Sequence, residues 1–347
     1  MKRIISIVVF GIVVAVQTFA QTDLQPAAIV RLTRSEPITV KQLRTEVERF
    51  ERQGGRPLTS AERRQVLDVM INERLAIQAA ERDRITISDN ELNQQIQQLR
   101  AMMAQQIGRQ PTDAEFTTAI REETGLDMPA FREQVRRQAV TQKYLMTKKE
   151  ALFRTVTPPT EAEIREAYML ARSQFVRPES VRFSMIQVPY GPDAASRTRA
   201  KGIADQLIRE IGSDPARFDE AVLRGQSPAA GFQAGDGGYL PRNTQAQQIV
   251  GQEFMNAAFS LRQGQVSRLI EGVGGFQIIK ITETHVQRNL ELDDIFQLGS
   301  RATVRDYIGN VMFQERQQRI LEQATQELIT ELRRGNPFQI FENNLNW

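Results

Sequence analysis

The sequence predicts an α+β protein, in which a mostly helical domain is interrupted by a smaller inserted α+β domain. The first observation is a series of helix-start signals over residues 39–175, followed near the end of the chain by one more amphipathic helix. The second is a change of pattern in residues 178–286, where strand-like and helix-like stretches alternate. With 347 residues, 40% hydrophobic and 25% charged, the chain has the composition of a globular protein with more than one domain.

The first twenty residues have the pattern of a secretory signal peptide. Lys2 and Arg3 precede an apolar run over residues 4–16, and the small residue Ala20 comes before polar Gln21. We expect cleavage after Ala20. The alternative is a retained membrane anchor, although a spanning helix needs ~20 apolar residues. Cleavage removes two of the 45 basic residues and none of the 42 acidic ones. The remaining charge of +1 does not support a nucleic-acid-binding protein.

The N-terminal domain, residues 21–175, is predicted to be helical after one short strand at 28–32 and a turn at 35–37. Five Ser or Thr residues are followed three residues later by Gln or Glu, a spacing that satisfies two free amide donors at a helix start. The pairs are Thr39/Gln42, Thr59/Glu62, Ser88/Glu91, Thr112/Glu115 and Thr160/Glu163. The second helix has an i+4 apolar face of Leu67, Ile71, Leu75 and Ala79. Asp127 and Pro129 begin a further helix that extends towards Phe153.

A last helix is predicted from about Val304 to Arg334, and residues 338–341 are predicted to form a closing strand. The apolar face of the helix consists of Ile320, Leu321, Ala324, Leu328 and Leu332. Such a face needs a partner, so we expect residues 300–347 to pack on the N-terminal domain, with the closing strand near the first strand.

The inserted domain, residues 178–286, is predicted to contain strands at 181–188 and 276–281. Between them lie predicted helices at 196–211, 215–223 and 253–261, and a glycine-rich loop at 231–240. The loop glycines predict a turn, because no lysine accompanies them for phosphate binding. His285, the only histidine, is expected in a solvated loop beyond the last strand.

Several classes of chemistry are excluded. The chain has no cysteine, so a disulfide, a thiolate nucleophile and a Cys-ligated metal are impossible. The motifs G-x-S-x-G, H-E-x-x-H and G-x-x-x-x-G-K-[ST] are absent. We therefore expect no cofactor, no metal and no ATP.

Four segments of the inserted domain, in order, resemble a parvulin-type (PpiC-type) peptidyl-prolyl cis-trans isomerase domain. They are residues 235–240, 254–261, 264–267 and 275–281. Residues 69–75, 87–92 and 131–135 resemble the N-terminal domain of SurA-like periplasmic chaperones. The resemblance covers nearly all of the chain after residue 20, with a single parvulin domain.

The resemblance implies a proline-binding pocket whose polar positions are substituted in this sequence. A strand histidine of the family corresponds to Met185, and a second histidine to Gln277. The family's Cys or Asp corresponds to Ser227, and a pocket methionine to Val250. Phe254 alone matches, as the apolar floor of the pocket. We expect Phe254, Met185 and Val250 to bind substrate, and we assign no catalytic residue.

Two functions of different classes follow from this resemblance. The first is a periplasmic holdase for unfolded polypeptides, with outer-membrane proteins as the implied clients. The alternative is an active isomerase with a divergent pocket, and a structural or assembly role is a third interpretation. Isomerisation needs a pocket that stabilises a twisted amide against a barrier of ~20 kcal/mol, so loss of the polar groups favours the holdase. The methionines at 102, 103, 128 and 146 are either an adaptable client surface or helix core. The oligomeric state is left open.

The signal-peptide pattern makes the first prediction, that the mature protein begins at or near Gln21. Mass spectrometry of the protein purified from cell envelopes measures this directly. Recovery of an intact Met1 from the soluble cytoplasmic fraction would contradict export.

Overall fold

The computed structural model describes residues 23–345 and 347, so the predicted signal peptide lies outside the described residues. The fold is α+β, which confirms the predicted class. Within the described part of the chain, no helix is long and apolar enough to cross a membrane. The chain divides into two compact units. The first comprises the described residues up to Thr157 together with Glu315–Trp347, and the second is Pro158–Gln314.

The predicted helices are present, and all five predicted capping boxes form with both of their hydrogen bonds. Helix α5 ends at Lys148 rather than near Phe153, because the backbone of Lys149 leaves the helical region and a separate single turn follows. The helices are α1 (Val40–Gly54), α2 (Ser60–Arg82), α3 (Asp89–Ile107), α4 (Asp113–Thr124), α5 (Met128–Lys148), α6 (Glu150–Phe153), α7 (Glu161–Ala171), α8 (Ala194–Ile211), α9 (Pro215–Arg224), α10 (Thr244–Val250), α11 (Gln252–Ser260) and α12 (Val304–Leu332).

The strands of the described residues form three antiparallel sheets. They are β1 (Pro26–Val30), β2 (Glu36–Thr39), β3 (Val176–Arg177), β4 (Ser180–Pro189), β5 (Gln233–Pro241), β6 (Ile270–Glu271), β7 (Gly275–His285), β8 (Arg288–Asn289) and β9 (Phe338–Ile340). The sheet orders are β2-β1-β9, β3-β8 and β5-β4-β7-β6. In the first sheet Ala28 lies opposite Ile340 and Val30 opposite Phe338. This pairing confirms that the closing strand lies beside the first strand.

The β1–β2 connection differs from the prediction, because residues 36 and 37 already belong to β2. A buried side chain holds the connection in place. The Oε1 atom of Gln78, on α2, accepts hydrogen bonds from the backbone N–H groups of Leu32 at 3.1 Å and Thr33 at 3.0 Å. Its Nε2 atom donates to Glu36 at 3.2 Å. One fully buried carboxamide therefore provides the hydrogen bonds that hold this tight loop, whose conformation the local sequence does not determine.

The core of the first unit combines α2 with the end of α12. Leu67, Ile71 and Leu75 are fully buried, and Leu328 and Leu332 join the same cluster. The buried Lys149 fixes this packing, since its ammonium group lies 3.1 Å from Glu327 and 2.8 Å from Glu331.

The predicted apolar face of α12 is wrong at Leu321, which is 40% exposed. The helix contributes Leu328 and Leu332 to the cluster of the first unit, and Leu321 lies about two turns before the first of these. Further back, Val304 and Ile308 pack with Ile164 and Tyr168 in a separate cluster of the second unit.

This second cluster also changes the domain limits. The division falls at residues 157/158 and 314/315 rather than at the predicted limits near 175 and 300. The physical reason is that α7, predicted as part of the N-terminal domain, buries its apolar side against the start of α12.

The second unit is built on the sheet β5-β4-β7-β6. Helices α8 and α9 cover one face, and α10 and α11 cover the other. The helices at 194–211, 215–224 and 252–260 confirm their predictions to within two residues. The glycine-rich loop predicted at 231–240 is instead largely strand β5, paired with β4 along its length.

The packing of α12 leads to a prediction with a matched control on the same helix. Leu328→Ala should lower the free energy of unfolding of the first unit by about 2–4 kcal/mol, because it leaves a cavity in a closed core. Leu321→Ala should change it by less than about 1 kcal/mol, because that side chain is already exposed. Urea unfolding followed by fluorescence reports on this unit, since Trp347 is the only tryptophan of the chain and packs on this core. Equal losses for the two variants would refute the packing.

Candidate functional site

Strand β4 separates the two faces of the inserted sheet. Val181 and Phe183 point towards α10 and α11, and Met185 packs against the same cluster. Ile186 and Val188 belong to the opposite cluster, with α8 and α9. The face that carries Met185 is therefore the one on which the resemblance places a ligand pocket.

The structure brings three of the five predicted site residues together. Phe254 belongs to the cluster beside Met185 and Val250, the last residue of α10. However, Phe254 is only 2% exposed, and its ring lies edge-on to Phe183 with centroids 5.2 Å apart. Its role in this conformation is core packing. Met185 and Val250 are partly exposed and are the members of this group that a ligand could touch.

Gln277 lies on the same face, within a row of three glutamines. In the sheet register Gln187 is opposite both Gln277 on β7 and Gln233 on β5. The Oε1 atom of Gln277 is buried and has no hydrogen-bond partner. Gly272 lies so close that a Cβ there would come within 2.3 Å of this oxygen. Sequence reasoning missed the row, because only the strand register reveals it.

Ser227 lies elsewhere. It is exposed and lines a cavity of about 420 Å³ with Phe232 and Gln233, next to the start of β5. It does not belong to the cluster of Phe254, although Gln233 connects its cavity to the glutamine row. The four positions that the resemblance assigns to the pocket of the family therefore do not all lie together.

A close approach explains one glycine of β5, Gly237. Phe183 pairs with Gly238 and Ser184 with Asp236, so Gly237 is an extra residue in a β-bulge. A Cβ on Gly237 would lie 2.1 Å from the ring of Phe183. The glycine is required for packing, and the predicted simple turn at 235–238 is wrong.

His285 is the last residue of β7 rather than part of a loop beyond the strand, which corrects the prediction. Its Nε2 atom lies 3.1 Å from Glu283, which also accepts hydrogen bonds from Arg182 at 2.9 Å and Tyr239 at 3.0 Å. The hydrogen bond from Arg182, followed by that from His285, lowers the pKa of Glu283. Arg182 also holds Asp236 at 2.6 Å. This network fastens the strands at one end of the sheet.

Two other predictions concern metal ligands and methionines. Among the described residues, no group of three or more His, Asp or Glu side chains is placed to hold a metal ion. Met103 and Met128 pack against the core formed by α3, α4 and α5. Met102 and Met146 are exposed, so the four methionines are divided between the two interpretations.

Two known families match separate parts of the chain. Residues 159–295, which include the four-stranded sheet with helices on both faces, match the family described as the PPIC-type PPIASE domain. The inserted unit is thus of the peptidyl-prolyl isomerase class in fold. Residues 1–145 match the SurA-like N-terminal domain. The chain therefore belongs to the SurA-like family of proteins that carry a PPIC-type domain.

Similar curated proteins include the chaperone SurA of Pseudomonas savastanoi pv. phaseolicola, 30% identical over 67% of this chain and 51% of that protein. SurA of Pseudoalteromonas translucida is 23% identical over 84% of this chain and 65% of that protein. The foldase PrsA of Clostridium botulinum is 23% identical over 88% of this chain and 82% of that protein. The chain spans 51% and 65% of the length of these two SurA relatives.

Similar solved structures include a SurA-like chaperone from a study of PEB4 and Cj1289 of Campylobacter jejuni. It has a TM-score of 0.37 at 13% identity and covers 91% of this chain and 98% of its own. PrsA of Bacillus subtilis has a TM-score of 0.23 at 19% identity and covers 90% and 93%.

The bulge in β5 provides a prediction for the candidate site. Gly237→Ala should destabilise the inserted sheet by about 1–3 kcal/mol, because the added methyl group overlaps the ring of Phe183. Gly235→Ala, two residues away, should have little effect, since nothing lies within 4 Å of its added Cβ. Hydrogen exchange of the β4 and β7 amides, measured by mass spectrometry, compares the two variants. The packing assigned to Gly237 is incorrect if both variants exchange as the parent does.

Proposed function

We propose that the protein is a periplasmic folding chaperone, a holdase that binds unfolded polypeptides without ATP. In this proposal the PPIC-type domain contributes fold and binding surface rather than efficient prolyl isomerisation. The observation that carries the proposal is the chemistry of the candidate face. Met185, Gln277 and Val250 occupy its substituted positions, and none of them can ionise.

The geometry of this face gives the proposal its physical basis. Catalysis gains most from polar groups that are held in advance where charge develops. Here Met185 and Val250 offer apolar contacts, and the neighbouring Phe254 ring is buried in the core. Ser227 lies at another cavity. Such a face can contact a peptide without stabilising a twisted amide in a specific way.

The location and the clients belong to the same proposal. The signal-peptide pattern and the match to the SurA-like N-terminal domain support a periplasmic protein. Outer-membrane proteins are proposed as clients on the family resemblance alone.

An active isomerase is the second candidate, and a specific observation favours it. Phe254 is retained, and the chain matches the PPIC-type family over residues 159–295. If closure of the Phe254 ring is reversible, Met185 and Val250 would form the walls of a proline pocket above it.

Two assays decide between these functions. The full mature chain should show prolyl isomerase activity on a proline-containing peptide near the uncatalysed background. It should also suppress aggregation of a urea-unfolded β-barrel protein on dilution. An active PPIC-type domain, measured in parallel, is the control for the first assay. A kcat/KM close to that of the control would favour the isomerase, and no suppression of aggregation would refute the holdase.

The choice of variants follows from the burial of each residue. Phe254→Ala removes a buried ring and is expected to cost about 3–5 kcal/mol, so it tests folding as much as binding. Met185→Ala and Val250→Ala are better probes of peptide binding, because both side chains are partly exposed. They should weaken binding of a proline-containing peptide and leave aggregation suppression by the first unit unchanged.

A further inference from the structure

The glutamine row of the inserted sheet presents three carboxamides on neighbouring strands. Gln233 on β5, Gln187 on β4 and Gln277 on β7 lie opposite one another in the register, so neighbouring members are separated by the strand spacing of about 4.8 Å. Gln187 follows Met185 by two residues with no bulge between them, so the row shares the face of Met185. Each carboxamide carries both hydrogen-bond donors and an acceptor.

The turn that enters β7 approaches two of these carboxamides with its backbone. A Cβ on Gly272 would lie 2.3 Å from the Oε1 atom of Gln277, and a Cβ on Gly274 would lie 3.6 Å from the Nε2 atom of Gln187. The side chain that another residue would carry at Gly272 would occupy the position of the Gln277 carboxamide. This glycine therefore keeps the end of the row free of other side chains.

The face also has space beside the row. In the register Gly235 of β5 lies opposite Met185, one pair along from Gln187 and its partners. Nothing lies within 4 Å of a Cβ built on Gly235. A ligand side chain can therefore lie over Gly235 against Met185 while the ligand backbone lies over the glutamine row.

The carboxamide oxygen of Gln277 needs a hydrogen-bond donor. This Oε1 atom is buried and has no hydrogen-bond partner among the described residues, although the side chain as a whole is only partly buried. A buried acceptor without a partner is unfavourable. Since no hydrogen bond holds the oxygen, rotation of the side chain towards a donor on a ligand breaks none of its bonds and gains one. A ligand with an N–H at this place is thus favoured.

Peptide groups differ in whether they supply this donor. An ordinary peptide bond offers one N–H and one C=O, whereas the bond that precedes proline offers only the C=O. Gln277 and Gln187 are neighbours, so the oxygen of Gln277 can accept from the N–H while the Nε2 atom of Gln187 donates to the C=O of the same peptide. With proline at this place, the oxygen of Gln277 stays without a donor.

We propose that Gln277, with Gln187 beside it, makes this face select an extended peptide by a backbone N–H, so that a residue with an N–H is preferred to proline. The inference rests on the proposed peptide-binding role of the inserted domain and gives it a substrate class. Gln277 acts here as a specificity-determining residue, and Met185 supplies an apolar contact that does not distinguish the two kinds of peptide.

Three peptides that differ at one position test this preference with the full mature chain. Each is a fluorescein-labelled peptide of five residues, with N-methylglycine at the four outer positions and a dimethylamide at its end. The central residue is leucine, N-methylleucine or proline, so only the leucine peptide has a backbone N–H. Measured by anisotropy, it should bind about tenfold more tightly than the other two, because it alone gives the dehydrated oxygen a partner.

A variant of Gln277 tests whether this residue causes the preference. Gln277→Met keeps a similar length and removes the polar atoms. It should bind the N-methylleucine peptide within about twofold of the parent and reduce the preference for the leucine peptide to about twofold or less. Gln206→Met, the same substitution at an exposed position of α8 on the opposite face of the sheet, should keep the full preference. Circular dichroism verifies that both variants fold.

Met185→Ala separates the apolar contact from the hydrogen bond. It should weaken binding of the leucine and N-methylleucine peptides by the same factor, about three- to tenfold, and leave their ratio unchanged. Equal binding by the parent and Met185→Ala would place the peptide elsewhere on the chain and overturn the inference.

The remaining outcomes distinguish this inference from the holdase function. If the parent suppresses aggregation but binds the leucine and N-methylleucine peptides equally, or binds neither, selection by the N–H is wrong and the holdase function stands. If the parent suppresses no aggregation, the holdase function fails, and the ratio of the peptide affinities still decides the inference. Tighter binding of the proline peptide than of the leucine peptide, or loss of the preference in Gln206→Met, would overturn the inference.

Discussion

The antiparallel pairing of β1 with β9 is the constraint on which the first unit depends. Strand β1 is the central strand of its sheet and pairs with β2 along one edge. Its other edge pairs with β9, near the opposite end of the sequence, where Phe338 and Ile340 lie opposite Val30 and Ala28. The first unit is therefore incomplete until nearly the whole chain is present. Contacts between residues so distant in sequence form late, because closing a long loop costs entropy before the contacts are gained. The second unit, a continuous segment, has no such requirement.

The fold was predictable from the sequence wherever the determining signal is local. Capping boxes such as Thr59/Glu62 and Ser88/Glu91 bring a donor and an acceptor together within four residues, and all five form. Prediction failed where a distant residue decides the local structure. Gln78 fixes the loop between β1 and β2 from about 45 residues away. Gly237 lies within strand β5, where the ring of Phe183 on the neighbouring strand leaves no room for a Cβ atom.

The same distinction applies to the candidate site. The resemblance placed Met185, Val250 and Phe254 near one another, and the structure brings them into one cluster. The resemblance could not reveal that the Phe254 side chain is buried in the core, because its burial depends on how α11 packs on the sheet. Nor could it reveal that Gln187 faces Gln277, since a change of one residue in register would place these side chains on opposite faces.

In the inserted domain, the residues that the packing requires differ from those to which the resemblance assigns chemistry. Gly237 and Phe254 follow the family pattern, and both are needed for packing around Phe183. Met185 and Gln277, which the resemblance assigns to substituted positions, are only partly buried, so the core depends less on their chemistry. The packing of the sheet therefore places little constraint on the side chains at these two positions. Neutral side chains at these positions can still bind a peptide through apolar contacts and carboxamides, which require less exact placement than catalysis does. This difference in required precision is the physical basis of the proposed holdase function.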